Sequence, residues 1–93
     1  MKKLPVVCPS CESLLRVKTL CCAQCDTTVN GFFVLPVLAQ LKPDEQSFIL
    51  AFIKASGSLK EMSALLDLSY PTVRNMLDDL IVRLNQLENG PIQ

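Results

Sequence analysis

The sequence predicts an α+β fold, a small cysteine-rich β module followed by three helices. Three observations carry this. Five cysteines fall within the stretch CPSCESLLRVKTLCCAQC, residues 8 to 25. Segments rich in strand-favouring residues lie between and after them. From Lys42 onward the apolar residues recur at helical spacing instead.

Length and composition bound what the two halves can do. A chain of 93 residues is one small domain or two modules sharing a core, and chains of this size often draw stability from metal, disulfides or oligomerisation. About half of the residues are apolar (49%) and mean hydropathy is positive, so some apolar surface is expected in an interface between modules or subunits. The formal net charge of zero gives no global field drawing the chain to nucleic acid or membrane. MKKLPVVCPS at the start lacks the apolar run of a signal peptide, and no stretch is long and apolar enough to span a bilayer. The expected location is cytoplasmic.

Structural disulfides are disfavoured in a reducing cytoplasm, and the spacing points to metal. Cys8-Pro9-Ser10-Cys11 and Cys22-Ala23-Gln24-Cys25 are two CxxC pairs, with residues 12 to 21 between them. Each CxxC bends as a knuckle that aims two sulfurs at one point, and two knuckles make a tetrahedral thiolate site suited to zinc. Cys8, Cys11, Cys22 and Cys25 are the expected ligands. With all four positions filled by protein, the zinc is structural. Cys22 is preferred over Cys21 because it restores the CxxC spacing. Cys21 is left as a small packer or, alternatively, a spare redox thiol.

Leu14–Lys18 and Thr27–Val34 read as strands, and with the knuckles they make a zinc ribbon. The boundaries expected are a ribbon over 1–35, an apolar connector over 36–41, a helical domain over 42–89 and a tail over 90–93. The stretch GFFVLPVLAQL, residues 31 to 41, is too apolar for a solvated tether, so the connector should pack on the second module or a partner.

Pro43-Asp44-Glu45 opens a first helix and Gly57 ends the run, with Phe48, Ile49, Phe52 and Ile53 on one face. Ser58-Leu59-Lys60-Glu61 is a capping box before a short helix holding Met62, Leu65 and Leu66 inside. At Asp67 the chain can turn in the left-handed conformation that glycine usually fills. Ser69 caps a third helix with Pro71 in its first turn, and its apolar stripe runs Val73, Met76, Leu77, Leu80, Ile81, Leu84, Leu87. Three helices with a short turn between the last two form a helix-turn-helix.

EMSALLDLSYPTVRNML, residues 61 to 77, resembles the helix-turn-helix of sigma-factor-like and response-regulator-like DNA-binding domains. Ser63 stands at the small position, Asp67 replaces the turn glycine, and Ser69, Thr72 and Val73 match. CPSC, CAQC, GFF, FIKASGSLKEM and SYPTVRNMLDDL more closely resemble a family of small bacterial proteins whose domain has no assigned function. That resemblance covers nearly the whole chain and implies a zinc ribbon packed on a three-helix helix-turn-helix. Glu12 and Asp26 follow the knuckle cysteines where many ribbons carry glycine, which strains the knuckles.

The expected function is a DNA-binding transcriptional regulator. Tyr70, Thr72, Arg74 and Asn75 fall at the start of the recognition helix, where base edges of double-stranded DNA are met, and Lys60 and Ser69 are placed to touch phosphate. Against this, residues 42–93 carry five cations and seven acids, a net of minus two. Arg74 with Asp78, and Asp79 with Arg83, stand four apart and can pair along the helix. The ribbon half carries four cations against two acids, an excess that four thiolates with one zinc cancel. A homodimer would double the phosphate contacts. Val73, Leu77, Leu80, Leu84 and Leu87 repeat as a coiled-coil seam, so Leu80, Leu84 and Leu87 are the expected dimer interface, the alternative being that they line the chain's own core. The competing function is an adapter that holds a protein of the transcription machinery. No enzyme is expected. There is no histidine, the three glycines form no phosphate loop, and Asp78 and Asp79 point about 100° apart on a helix, which leaves no small-molecule substrate to assign.

Overall fold

A computed structural model describes residues 4–89; residues 1–3 and the expected tail, 90–93, lie outside it. The first knuckle turns the chain back on itself, with Val7 bridged to Leu14 and the Leu15 amide donating to the Val6 carbonyl at 2.8 Å. Two antiparallel strands follow, β1 (Val17–Cys21) and β2 (Thr28–Phe33), with the second knuckle between them. The first strand therefore begins later than the pattern from Leu14 suggests. Leu14 and Leu15 are already used in pairing back to the N-terminal segment, so only from Val17 is the backbone free to pair with β2.

The register, Thr19 opposite Asn30 and Cys21 opposite Thr28, breaks at a bulge between Val17 and Thr19. Thr19 Oγ1 donates to Asn30 Oδ1 across the pair at 2.8 Å. Gly31 sits at this irregularity for a steric reason. A Cβ there would stand 2.8 Å from the Phe33 ring, which folds back over the strand. Phe32 remains 75% exposed, with the Arg16 guanidinium 5.7 Å from its ring centroid. No described residue before Leu35 is buried. The β module has no apolar core of its own.

Burial begins at the connector. Pro36 leads into a 3-10 turn, Val37–Gln40, which packs against the third helix. Leu35 and Gln40 are buried, and Gln40 Nε2 donates to the Leu35 carbonyl at 2.7 Å. Gln46 Nε2 donates to the carbonyls of Ala39 (3.3 Å) and Leu41 (2.8 Å), tying the connector to the first helix. The expectation of a packed connector holds, and neither strand packs substantially on a helix, so the connector is the principal joint between the halves.

Three helices follow, α1 (Pro43–Lys54), α2 (Leu59–Leu66) and α3 (Tyr70–Glu88). The Lys42 amide donates to Glu45 Oε1 at 2.9 Å, satisfying one orphan donor at the start of α1. Its end is a double turn, with Ser56 at φ 57° and Gly57 at φ 76°, where the Gly57 amide reaches the Phe52 carbonyl at 2.9 Å. Ser58 Oγ accepts from the Glu61 amide at 3.1 Å, half of the expected capping box; the Ser58 amide donates to the Ala55 carbonyl. Asp67 closes α2 in the left-handed region, φ 55° and ψ 45°, as its place in the sequence suggests. Ser69 Oγ accepts from the Thr72 amide at 3.3 Å to start α3.

The core consists of Leu41, Phe48, Ala55, Met62, Val73 and Leu80, with Phe48 and Phe52 stacked 6.2 Å apart beside it. Leu41, Met62 and Val73 are fully enclosed, each contributing roughly 1.5–3 kcal/mol by burial. Several apolar positions do not reach this core. Ile53 is 68% exposed and Leu65 69%, and Leu66 is also exposed. Leu65 and Leu66, three and four residues after Met62, share its face of α2, but they lie in the last turn of this short helix, where no neighbouring element covers them. The seam of α3 points inward. Leu80 is buried, and Leu77, Leu84 and Leu87 pack against the same cluster, so Leu80, Leu84 and Leu87 line the chain's own core and are not a free dimer surface. Leu41 and the 3-10 turn supply the cover that α1 and α2 are too short to give.

Candidate metal centre and nucleic-acid interface

The two CxxC segments fold alike. In the first, the Cys8 amide donates to the Ser13 carbonyl (2.8 Å) and the Glu12 amide to the Cys8 carbonyl (2.9 Å). In the second, Cys22 donates to Thr27 (2.7 Å) and Asp26 to Cys22 (2.9 Å), the same bonds at the same offsets. Glu12 (φ 64°) and Asp26 (φ 61°) both take left-handed backbone. The strain expected from acids in a glycine position is therefore real, and it occurs twice. Cys22, not Cys21, occupies the place equivalent to Cys8, which supports the ligand assignment made from spacing. Cys21 ends β1, exposed, with its Sγ 3.7 Å from the Cys22 carbonyl; it is not a buried packer, because the two-stranded sheet offers it no second layer.

Cys11 has its thiol pKa lowered, first by the Ser13 hydroxyl, then by the Ser13 amide and the Cys8 thiol. Cys25 is lowered in the same way by the Thr27 hydroxyl, the Thr27 amide and Cys22. Thr27 Oγ1 lies 3.0 Å from Cys25 Sγ. Such groups favour thiolate, the form that binds metal. Among the described residues no three Cys, Asp or Glu side chains stand close enough to hold an ion in common. The structure therefore does not bring Cys8, Cys11, Cys22 and Cys25 to one point; the expected quartet stands as two matched CxxC knuckles. Weak thiol hydrogen bonds act within a knuckle and exert no pull between knuckles; metal–thiolate bonding does. The donor set fits zinc on two counts. All four groups are thiols on matched loops, and the module they belong to buries nothing that would otherwise hold it.

The helical half presents a different surface. Val73 is fully buried and fixes the first turns of α3 to the core. Asn75 lies about 160° from it around the helix and faces outward, flanked by exposed Thr72 and Arg74. Tyr70 is half-exposed at the helix start. Ser69 and Thr72 are coupled, their hydroxyls 2.8 Å apart, so the Ser69 side chain is engaged in capping. Lys60 is exposed on α2, away from the core. Arg74 Nε pairs with Asp78 Oδ1 at 3.4 Å, as the spacing suggests, with side chains 56% and 52% exposed; such a pair holds the guanidinium weakly. Arg83 does not pair with Asp79. Its Nε lies 3.8 Å from Glu45 Oε1 on α1, because Arg83 sits at the edge of the buried stripe and turns toward the neighbouring helix.

Two family models match this chain. One, described as the DUF2089 zinc ribbon, matches residues 8–39, and the other, Domain of unknown function (DUF2089)-HTH, matches residues 41–87. The chain belongs to the DUF2089 family. No curated protein and no solved structure matches it. The DUF2089 zinc ribbon spans both knuckles, and the DUF2089 helix-turn-helix spans Lys60 and Ser69 to Asn75. Among the described residues no helix is long and apolar enough to cross a membrane.

Sequence reasoning missed two groups, Ser13 and Thr27. Their signal was present as the repeat CPSCES and CAQCDT, residues 8–13 and 22–27, in which an acid and a hydroxyl follow each second cysteine. It also missed the amides of Gln40 and Gln46, which satisfy the connector's carbonyls.

Proposed function

We propose that this chain is a DNA-binding transcriptional regulator whose ribbon is held by a structural zinc. The observation that carries the reading is the outward placement of Asn75, Thr72 and Arg74 on a helix start anchored by buried Val73, within a segment matched as a helix-turn-helix. Asn75 has the chemistry to read adenine and Arg74 guanine through paired hydrogen bonds, while Lys60 serves phosphate. In this reading Cys8, Cys11, Cys22 and Cys25 hold the zinc, which crosslinks the ribbon and takes no part in chemistry. No catalytic step is assigned.

Charge shapes the mode of binding. Asp78 and Asp79 stand one turn beyond Asn75 on the exposed side of α3, and residues 42–93 have an excess of two acids. Phosphate neutralisation supplies much of DNA affinity, so one copy has few phosphate contacts to offer. Two copies on successive half-sites double them, and the reading includes such a homodimer, formed through a surface other than the inward stripe of α3.

The alternative is a protein adapter acting on the transcription machinery. It is favoured by an apolar groove of about 720 Å³ beside α1, lined by Leu4, Leu38, Ile49, Leu50 and Ile53. Fragments selected from the host genome, followed by fluorescence anisotropy at several salt concentrations, separate the two. DNA binding predicts a selected sequence whose affinity falls roughly 1–3 kcal/mol on Asn75→Ala, with helical content unchanged. Equal binding of both proteins to that sequence, or no selection at all, favours the adapter. Sedimentation of the complex counts the copies.

A further inference from the structure

Ser13 and Thr27 occupy one position of a structural repeat. In each knuckle the left-handed residue, Glu12 or Asp26, folds the chain so that the next residue returns to the loop. Its carbonyl is fixed by the amide of the first cysteine, at 2.8 Å from Cys8 to Ser13 and 2.7 Å from Cys22 to Thr27. With its backbone held in this way, the side chain is set down beside the second cysteine. Thr27 Oγ1 stands 3.0 Å from Cys25 Sγ, and Ser13, held by the same backbone bond, occupies the equivalent place after Cys11. Two stretches of different sequence converge on this arrangement, one using serine and the other threonine.

We propose that Ser13 and Thr27 are positioning residues for the metal site, each donating its hydroxyl hydrogen to the sulfur of the second cysteine in its knuckle. A thiolate only accepts, so in the metal-binding form the hydroxyl is the donor, and a bond to an anionic acceptor is stronger than one to a thiol. The bond holds the sulfur in one rotamer and draws off part of its charge. Groups that orient metal ligands from behind typically account for about 10- to 100-fold in metal affinity. The inference rests on the knuckles holding zinc and is independent of what α3 binds.

The test uses the full chain, with zinc affinity measured by chelator competition and cobalt(II) as a spectroscopic probe. Thr27→Val keeps the shape and removes the hydroxyl, whereas Thr27→Ser keeps the hydroxyl; Ser13→Ala and Ser13→Thr form the matching pair. Thr27→Val and Ser13→Ala should each bind zinc at least about 10-fold more weakly. In both, the sulfur-to-cobalt charge-transfer band should move to lower energy, because the sulfur regains the charge the hydroxyl withdrew. Thr27→Ser and Ser13→Thr should restore affinity and band position. Wild-type affinity in Thr27→Val and Ser13→Ala overturns the proposal. So does a loss of affinity with the band unmoved, which is what a defect of shape alone gives. A wild-type chain that binds no zinc overturns it together with the metal reading, so the two failures are distinct.

Discussion

Replacing Leu41 with alanine tests whether the connector belongs to the helical core. Leu41 has no exposed surface and packs with Phe48, Ala55, Met62, Val73 and Leu80. Truncating a fully enclosed leucine removes its transfer free energy and leaves a cavity, at about 2–5 kcal/mol. Leu38, three residues earlier, provides the control, since it is 57% exposed. Less than half of its surface is withdrawn from water and no closed cavity would form, so Leu38→Ala should cost about 1 kcal/mol or less. The chain has no tryptophan, so far-ultraviolet circular dichroism during thermal denaturation is the natural assay. For a domain of this size each 1 kcal/mol displaces Tm by roughly 4–8 °C, which sets the two variants well apart. Equal losses for Leu41→Ala and Leu38→Ala would refute the view that the connector seals the helical core.

Further outcomes follow from the ribbon. Purified protein should carry about one zinc per chain. Cys22→Ser should lose it while Cys21→Ser retains it, as read by metal analysis; the reverse result would move the ligand to Cys21. Chelation should unfold the ribbon and leave most of the helical signal, since every core residue lies between Leu41 and Leu80. Glu12→Gly should raise the unfolding midpoint of the zinc-loaded ribbon, because left-handed backbone costs a non-glycine residue about 1–2 kcal/mol, part of which glycine returns as unfolded-state entropy. Asp26→Gly should gain less, aspartate being better tolerated there, and no gain at either site would count against strain in the knuckles.

What the sequence disclosed depended on how local the cause was. Helix starts and stops were legible because their causes lie within a few residues: Ser58 and Ser69 cap, and Asp67 and Gly57 turn left-handed. The CxxC pairs were legible for the same reason. Burial was harder to read. Ile53, Leu65 and Leu66 fit an apolar pattern as well as Phe48 and Met62 do, and only the placement of neighbouring helices decides which are enclosed. The α3 stripe carried the same ambiguity. Its spacing suits a partner helix or the chain's own core equally, and the deciding element, the turn at Val37–Gln40, has no helical period to announce it. Arg83 also reached across to Glu45, a pairing set by tertiary placement and not by the four-residue rule.

The boundary between the halves follows from the same physics. The two family models part at residue 40, the ribbon ending at 39 and the helix-turn-helix beginning at 41. The energetic boundary lies earlier. Leu35 is the first buried residue among those described, Gln40 bonds back to its carbonyl, and Gln46 of α1 holds the carbonyls of Ala39 and Leu41. The carbonyls of Ala39 and Leu41 are therefore satisfied from α1, and Leu35, Gln40 and Leu41 are buried with the helical half. Upstream of Leu35 the backbone is tied by the hairpin and the knuckles, and nothing described there is enclosed. One half is thus stabilised by apolar burial, and the other carries the cysteine pairs that the zinc-ribbon family model spans. Five thiols in a stretch without a core, four of them in CxxC pairs, and none in the half that has one, fit that division.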